Sequence, residues 1–173
     1  LKWGKGDIEA GFKQADLIVE NTFTTQVTHQ SYLEPHACVA DTHADGSADI
    51  WSCSKTPFAV RGQLSNCIGI AKEKLIFHPM HIGGDFGGKG GFMDVALAYV
   101  LSKKAGMPVK MVMDYTEELT AGNPRHASII KVKTGVKKDG TIVAHHIDFL
   151  FDSGAYASMK PAGYLIGAST CAG

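Results

Sequence analysis

No apolar run in this chain approaches the roughly 20 residues that a bilayer-spanning helix requires; stretches such as "FMDVALAYVL" stop far short. Charge of one sign is lacking too. Lys and Arg number 17 and Asp and Glu number 17, so no net positive field points to nucleic acid or an anionic membrane. The 4 cysteines, at positions 38, 53, 67 and 171, form no C-x-x-C pair, which speaks against a zinc or thioredoxin-like motif. They read as small buried thiols in a reducing, cytoplasmic compartment. His29, His36, His78 and His81 lack the i, i+4 spacing of ligands on one helix. Internal repeats and low-complexity linkers are absent, and no charged-then-apolar leader opens the chain. What remains is 45% apolar and 20% charged, the composition of a globular protein. The chain opens on Leu1 and stops at Gly173 in "STCAG", so we read residues 1–173 as one unit, a piece of a larger domain incomplete at both ends.

The hydrophobic patterning calls for an α+β fold, with mixed sheets, hairpins and packed helices. "GDIEAGFKQA" reads as a short helix capped by Asp7, and "LIVENTFTTQVTHQ" as a strand. "ACVADTHADGSADIWSCS" reads as a hairpin turning on Asp45-Gly46, which sets Ala40 opposite Trp51 and Cys38 opposite Cys53. Directly opposed cysteines are within disulfide reach, so this pair is a redox candidate beside the plainer reading of two core thiols. Thr56 and Pro57 start a helix with Phe58, Leu64 and Ile68 on or near its apolar face. "EKLIFHPMHI" is a strand bent at Pro79, and "GFMDVALAYVLSKKAG" a helix stopped by Gly106. "PVKMVMD" then reads as a buried strand and "TEELTAG" as a short capped helix. A long hairpin turning on Asp139-Gly140 pairs Ile130 with Phe149, Val132 with Ile147 and Val136 with Val143. That face is expected to pack on a core and the lysine face to meet water.

Between the Pro79 strand and the Gly106 helix lies "HIGGDFGGKGG", His81 to Gly91, with 6 glycines in 11 residues. Such a cluster means that the backbone approaches something closely or needs φ > 0. Gly83 to Lys89 match G-x-x-x-x-G-K, the start of a phosphate-binding loop, and "MVMD" imitates an acidic metal-holding strand. The residue after the lysine is Gly90, where that motif needs a hydroxyl for magnesium, and Phe86 is bulky for the tightest part of the loop. A nucleotide-binding module is therefore the weaker alternative.

The loop "GGDFGGKG" more closely resembles the G-G-x-F-G-G-K cofactor loop of the xanthine dehydrogenase/aldehyde oxidase family of molybdenum hydroxylases. Four further segments resemble that family in order: "HQSYLEPHACVA", "IWSCSKTPFAVRGQLSNCIGI", "PVKMVMDYTEELTAGNPRH" and "KDGTIVAHHIDFLFDSGAYAS". The resemblance runs from about Gly6 to Ala157. It implies a part of the molybdopterin-binding domain of a large subunit. It also implies a molybdenum–pterin cofactor, in its cytosine dinucleotide form in bacteria, that hydroxylates an aldehyde or N-heterocycle carbon with oxygen from water. Electrons would leave through [2Fe–2S] clusters and FAD on partner domains or subunits. Gly84, Phe86, Gly87 and Gly88 would line the cofactor, with backbone N–H groups donating to it and no direct metal ligand in this chain.

The departures carry information as well. Lys55 stands where the family commonly has a cofactor-facing Gln, and it could still donate there. Gly90 stands on the substrate side, where xanthine-oxidising members carry Glu, which argues against xanthine. The family's glutamate base would lie beyond Gly173, as would the copper-bound loop of the carbon monoxide-oxidising branch, so the isolated chain is expected to be inactive. A scaffold of the same fold without cofactor is a further alternative. Among single residues, Lys89 reads as a ligand of a cofactor phosphate, as a cap on a local carboxylate or as an exposed, structural lysine, and Glu34 as a structural acceptor. Arg125-His126, after Gly122-Asn123-Pro124, reads as an N-cap or turn lock, or Arg125 as an ion-pair partner of Asp114 or Glu117.

Overall fold

The computed structural model describes residues 2, 4–91, 93–154 and 156, with Met93 by its backbone alone. In chain order the elements are α1 (Ile8–Lys13), β1 (Leu17–Thr25), β2 (Ala37–Thr42), β3 (Ala48–Ser52), α2 (Pro57–Ile68), β4 (Leu75–Pro79), α3 (Met93–Ala105), β5 (Val109–Val112), α4 (Tyr115–Ala121), β6 (Ala127–Val136) and β7 (Ile142–Asp152). The α+β class with two sheets is as expected. Where the sequence was read as one unit, the contacts divide it into two: Leu1–Thr28 with His126–Gly173, and His29–Arg125.

The first unit is an antiparallel sheet in the order β1-β6-β7, with α1 against β7. Asp7 caps α1 by accepting from the Ala10 amide at 3.0 Å. Small residues set the approach of this helix. A methyl on Gly11 would lie 2.5 Å from the Val143 carbonyl, and one on Gly135 would lie 3.0 Å from the Ala15 Cβ and 3.1 Å from Phe12. The helix thus sits on the Gly135–Ala144 end of the face that also carries Lys131 and Lys133, not on the Ile130–Phe149 face. The Lys133 ammonium lies 5.1 Å from the centre of the Phe12 ring. The expected division into a core face and a wet lysine face is corrected to that extent. Gly11→Ala should lift α1 outward and cost about 1–2 kcal/mol, within the usual range for overpacking; thermal unfolding of the purified variant measures it. At the other end of the sheet Thr25 and Ser128 share a 2.8 Å hydrogen bond between paired strands.

Both hairpins turn on three residues rather than two, with a left-handed glycine last: Gly46 at φ +81° and Gly140 at φ +89°. In β6–β7 a bulge at Gly135/Val136 absorbs the extra residue. Ile130 therefore faces Phe149 and Val132 faces Ile147 as expected, while Val136 faces Ile142 instead of Val143. In β2–β3 the extra residue shifts the register: Ala40 faces Ile50, Val39 faces Trp51 and Cys38 faces Ser52. A shift of one residue turns the side chains to opposite faces of the sheet, so Cys38 and Cys53 are not opposed, and both are free buried thiols.

The second unit is a four-stranded sheet in the order β4-β3-β2-β5, with β3 and β4 parallel across the α2 connection. Its core joins Ala40, Ala48, Ile50 and Leu75 of the strands to Val60 and Leu64 of α2 and to Val95, Ala98 and Tyr99 of α3. Pro57 opens α2 and Gly69 at φ +71° closes it, but the Thr56 side chain makes no cap bond; the Ser54 hydroxyl accepts from the Thr56 amide instead. Phe58, expected on the apolar face, is 79% exposed, because the buried stripe runs through Val60 and Leu64. Among the described residues β5 pairs with β2 alone and leaves Val112 exposed, so the expected buried strand is an edge strand there. α4 starts in a reciprocal capping box of Asp114 and Glu117.

Candidate functional site

The site is built on the segment from His29 to His36, which β2 continues. Tyr32 is buried and donates its hydroxyl to Glu118 of α4, itself 0% exposed. Glu118 also accepts from the His36 amide at 2.6 Å, and the His36 Nδ1 lies 2.9 Å from both its oxygens. His29 Nε2 completes the set at 3.3 Å. Burial alone would push the Glu118 carboxyl up, but Tyr32 and the two bonds from His36 outweigh it and hold it at about 2. Burial and the Glu118 charge push the Tyr32 phenol up. Tyr115 adds a bond from its hydroxyl to the Leu33 carbonyl at 2.8 Å. A rigid ledge results.

The glycine loop lies on this ledge. Methyl groups on Gly83, Gly84 and Gly88 would stand 2.7 Å from the Glu34 Cβ, 2.9 Å from the Tyr32 Cβ and 2.5 Å from the Tyr32 ring. These glycines exist to let the backbone close on the ledge. Lys89, 1% exposed, turns inward, binds Glu34 at 2.5 Å and lies 4.7 Å from the centre of the Tyr32 ring. Glu34 also accepts from the Gly83 amide at 2.8 Å. Burial raises the Glu34 carboxyl, but Lys89 and Gly83 more than reverse this and hold it below the ordinary carboxylate range. Lys89 is thus the cap on a local carboxylate, and Glu34 the structural acceptor, that the sequence offered as readings.

Asp85 organises the rest of the loop. Its carboxylate accepts from the amides of Gly87 at 2.6 Å and Lys89 at 2.7 Å, and it pairs with Lys55 at 2.9 Å. The Gly88 amide bonds to the Asp85 carbonyl at 2.8 Å. The amides of Gly87, Gly88 and Lys89 are therefore already bound to protein oxygens, and the lysine that would reach a phosphate is buried. The nucleotide-loop reading loses its geometry. Phe86 stands free at φ +45°, 66% exposed, with its carbonyl held by Arg125 Nη2 at 3.1 Å. Arg125 therefore does not pair with Asp114 or Glu117, which cap their own helix.

The structure brings Lys55, Gly84, Phe86, Gly87 and Gly88 together in one loop cluster, while Gly90 is buried at its far end. Asp85, Tyr32 and Glu118 escaped the sequence reading. An Asp two residues before a glycine is a signal for a side-chain turn, and could have revealed Asp85; nothing local marks Glu118. Among the described residues no group of three His, Cys, Asp or Glu side chains could hold a metal ion, and no helix is long and apolar enough to cross a membrane.

A bound pterin needs an open loop edge with unspent hydrogen-bonding groups, and the Phe86–Gly87 edge offers them. The Phe86 amide has no partner among the described residues, and nothing lies within 4 Å of where a Gly87 Cβ would be. The buried Gln30 Oε1, also without a partner, lies 3.1 Å from the place of a Gly88 Cβ. The residues present fit such a group.

Comparison with known proteins agrees. The molybdopterin cofactor-binding domain family matches residues 1–173. The chain is 32% identical to a probable xanthine dehydrogenase subunit of Bacillus subtilis, across 92% of this chain and 22% of that one. It is also 32% identical to the nicotinate dehydrogenase large molybdopterin subunit of Eubacterium barkeri, across 91% and 37%. The solved structure of the aldehyde oxidoreductase from Desulfovibrio gigas superposes with a TM-score of 0.74 at 26% identity, covering 85% of this chain and 16% of that one. The chain thus spans well under half the length of these relatives, all named as dehydrogenases or oxidoreductases. On the ledge, the loop and this match together, the chain belongs to the molybdopterin cofactor-binding domain family.

Proposed function

We propose that these residues form one wall of the cofactor site in the large subunit of a molybdenum hydroxylase acting on an aldehyde or an N-heterocycle. The observation that carries the reading is the Phe86–Gly87 edge: an exposed aromatic in a left-handed conformation, a free amide and an open glycine on a loop otherwise locked to its ledge. The cofactor, a molybdenum–pterin in the cytosine dinucleotide form, supplies hydroxylation of a substrate carbon with oxygen from water. The chain's own residues position it. The Phe86 amide donates, the Phe86 ring excludes water from one side, and Gly84 and Gly88 keep the backbone low enough to leave room. Gly90 gives a purine no carboxylate, which favours substrates other than xanthine. The names of two relatives, for nicotinate and for aldehydes, support the two substrate classes. The assembly is read as cytoplasmic. In it the rest of the large subunit brings the glutamate base, and [2Fe–2S] and FAD domains or subunits take the electrons.

The test is elemental and nucleotide analysis of the natural-length protein purified with its co-purifying subunits. Stoichiometric molybdenum, with cytidine monophosphate released by acid, is expected. Absence of molybdenum would point to a cofactor-free scaffold. Magnesium-dependent ATP affinity lost on Lys89→Ala would point to the nucleotide reading. The 173 residues alone should show no hydroxylation.

A further inference from the structure

We propose that Asp85 is the loop's built-in oxyanion and Lys55 its counter-ion, and that the two act as one positioning unit for Phe86. Three donors converge on this carboxylate, two from its own loop and one from the segment before α2: the amides of Gly87 and Lys89 at 2.6 and 2.7 Å and the Lys55 ammonium at 2.9 Å. Convergent amides in a glycine-rich turn make an anion nest, and a nest filled by its own side chain has a fixed shape before any ligand arrives. The grip brackets Phe86. Asp85 precedes it and binds the amide of Gly87 that follows it, while Arg125 holds its carbonyl. A bulky residue at φ +45° needs such over-determination.

The charge logic ties the two residues together. The Asp85 side chain is only 14% exposed, so an unpaired charge there lacks solvation and would repel an anionic cofactor. Lys55 cancels that charge. Burial raises the Asp85 carboxyl, but Lys55 and the two amides hold it below the ordinary carboxylate range. The same contacts revise the role that the family resemblance offers Lys55. Its ammonium and the Gly87 amide are both engaged by Asp85, so a bound group meets the loop through the Phe86 amide and ring. Lys55 and Asp85 are positioning residues in this reading, not catalytic ones.

The inference rests on the proposed cofactor site, and its test separates the two. The natural-length protein is prepared with its co-purifying subunits as wild type, Lys55→Gln, Asp85→Ala and the double variant. Thermal midpoint and molybdenum content are measured for each. Lys55→Gln is expected to lower the midpoint and to reduce molybdenum several-fold when Asp85 is present. In the Asp85→Ala background the same change should have no effect, because the charge it would strand is gone. Lys55→Arg should keep both values near wild type, and should also keep the wild-type electron paramagnetic resonance signal of the reduced enzyme, which Lys55→Gln and Asp85→Ala each alter. A change that lowered stability without moving Phe86 would leave that signal alone. If Asp85→Ala proves too unstable to purify, Asp85→Asn removes the charge in the same shape. Equal effects of Lys55→Gln in both backgrounds, or none in either, overturn the proposal. A wild type without molybdenum overturns the cofactor reading instead, and the thermal cycle still decides on the pair.

Discussion

Glu118→Gln is expected to destabilise the protein by about 3 kcal/mol, nearly as much as Glu118→Ala, although glutamine matches glutamate in size. The carboxylate receives only donors: the Tyr32 hydroxyl, the His36 amide, the His36 ring and the His29 ring. An amide in its place must turn its NH2 toward one of them, and two buried donors then face each other. The effect should also depend on pH with a definite sign. The folded state holds this carboxyl at about 2 against an ordinary value of 4.5. A lowered folded value means that the contribution is complete above the unfolded value and is lost as pH falls from about 4.5 toward 2. The size of the shift corresponds to roughly 3 kcal/mol. Urea unfolding of wild type and Glu118→Gln at about pH 7 and about pH 3 checks this. The gap should be widest near neutrality and should narrow in acid, because the other lowered carboxyls act in both proteins alike. An equal gap at both values would remove the electrostatic account.

The second large effect is expected from Gly88→Ala. A methyl there would stand 2.5 Å from the Tyr32 ring and 3.1 Å from both the Tyr32 oxygen and Gln30 Oε1. The tyrosine cannot retreat, since its hydroxyl is fixed on Glu118 and its ring lies under Lys89. The loop must rise instead, straining the bonds that Asp85 makes inside it. The loss should be about 3 kcal/mol, the upper end of what overpacking costs, and molybdenum retention should fall with it. Gly87→Ala is the control. Open space surrounds that position, so it should suffer only the strain of φ +97° and lose about half as much stability. A Gly88→Ala protein no less stable than Gly87→Ala would show that the ledge yields.

Legibility followed the range of the interactions. Features decided within a few residues were readable: the Asp7 cap, a short capped helix at α4, and Gly106 at φ +67° ending α3. Asp-Gly marked both hairpins but not their loop lengths, because a left-handed glycine serves a three-residue turn as well as a two-residue one. A single bulge then decided which expected pairings survived. Side chains whose surroundings come from distant segments were hidden. Glu118 sits in "TEELTAG", a stretch that reads only as a short capped helix, and its partner Tyr32 is 86 positions away. Lys89 left several readings open because burial of a lysine is decided by the carboxylate that meets it. In the glycine loop the spacing told what family it resembles, while the purpose of three of its glycines became visible only with the Tyr32 and Glu34 side chains in place.

The hydrogen bond between Thr25 and Ser128 has one more consequence. These residues face each other in adjacent strands, and between them in the chain lies the whole of His29–Arg125 with the loop and its ledge. The chain leaves the three-stranded sheet and returns to it through a single doorway about one strand spacing wide. Topologically His29–Arg125 is an insertion: a short turn from β1 to β6 would close the sheet without it. The β1–β6 pairing, from Leu17 opposite Val136 to Thr25 opposite Ser128, is made wholly by residues outside that insertion.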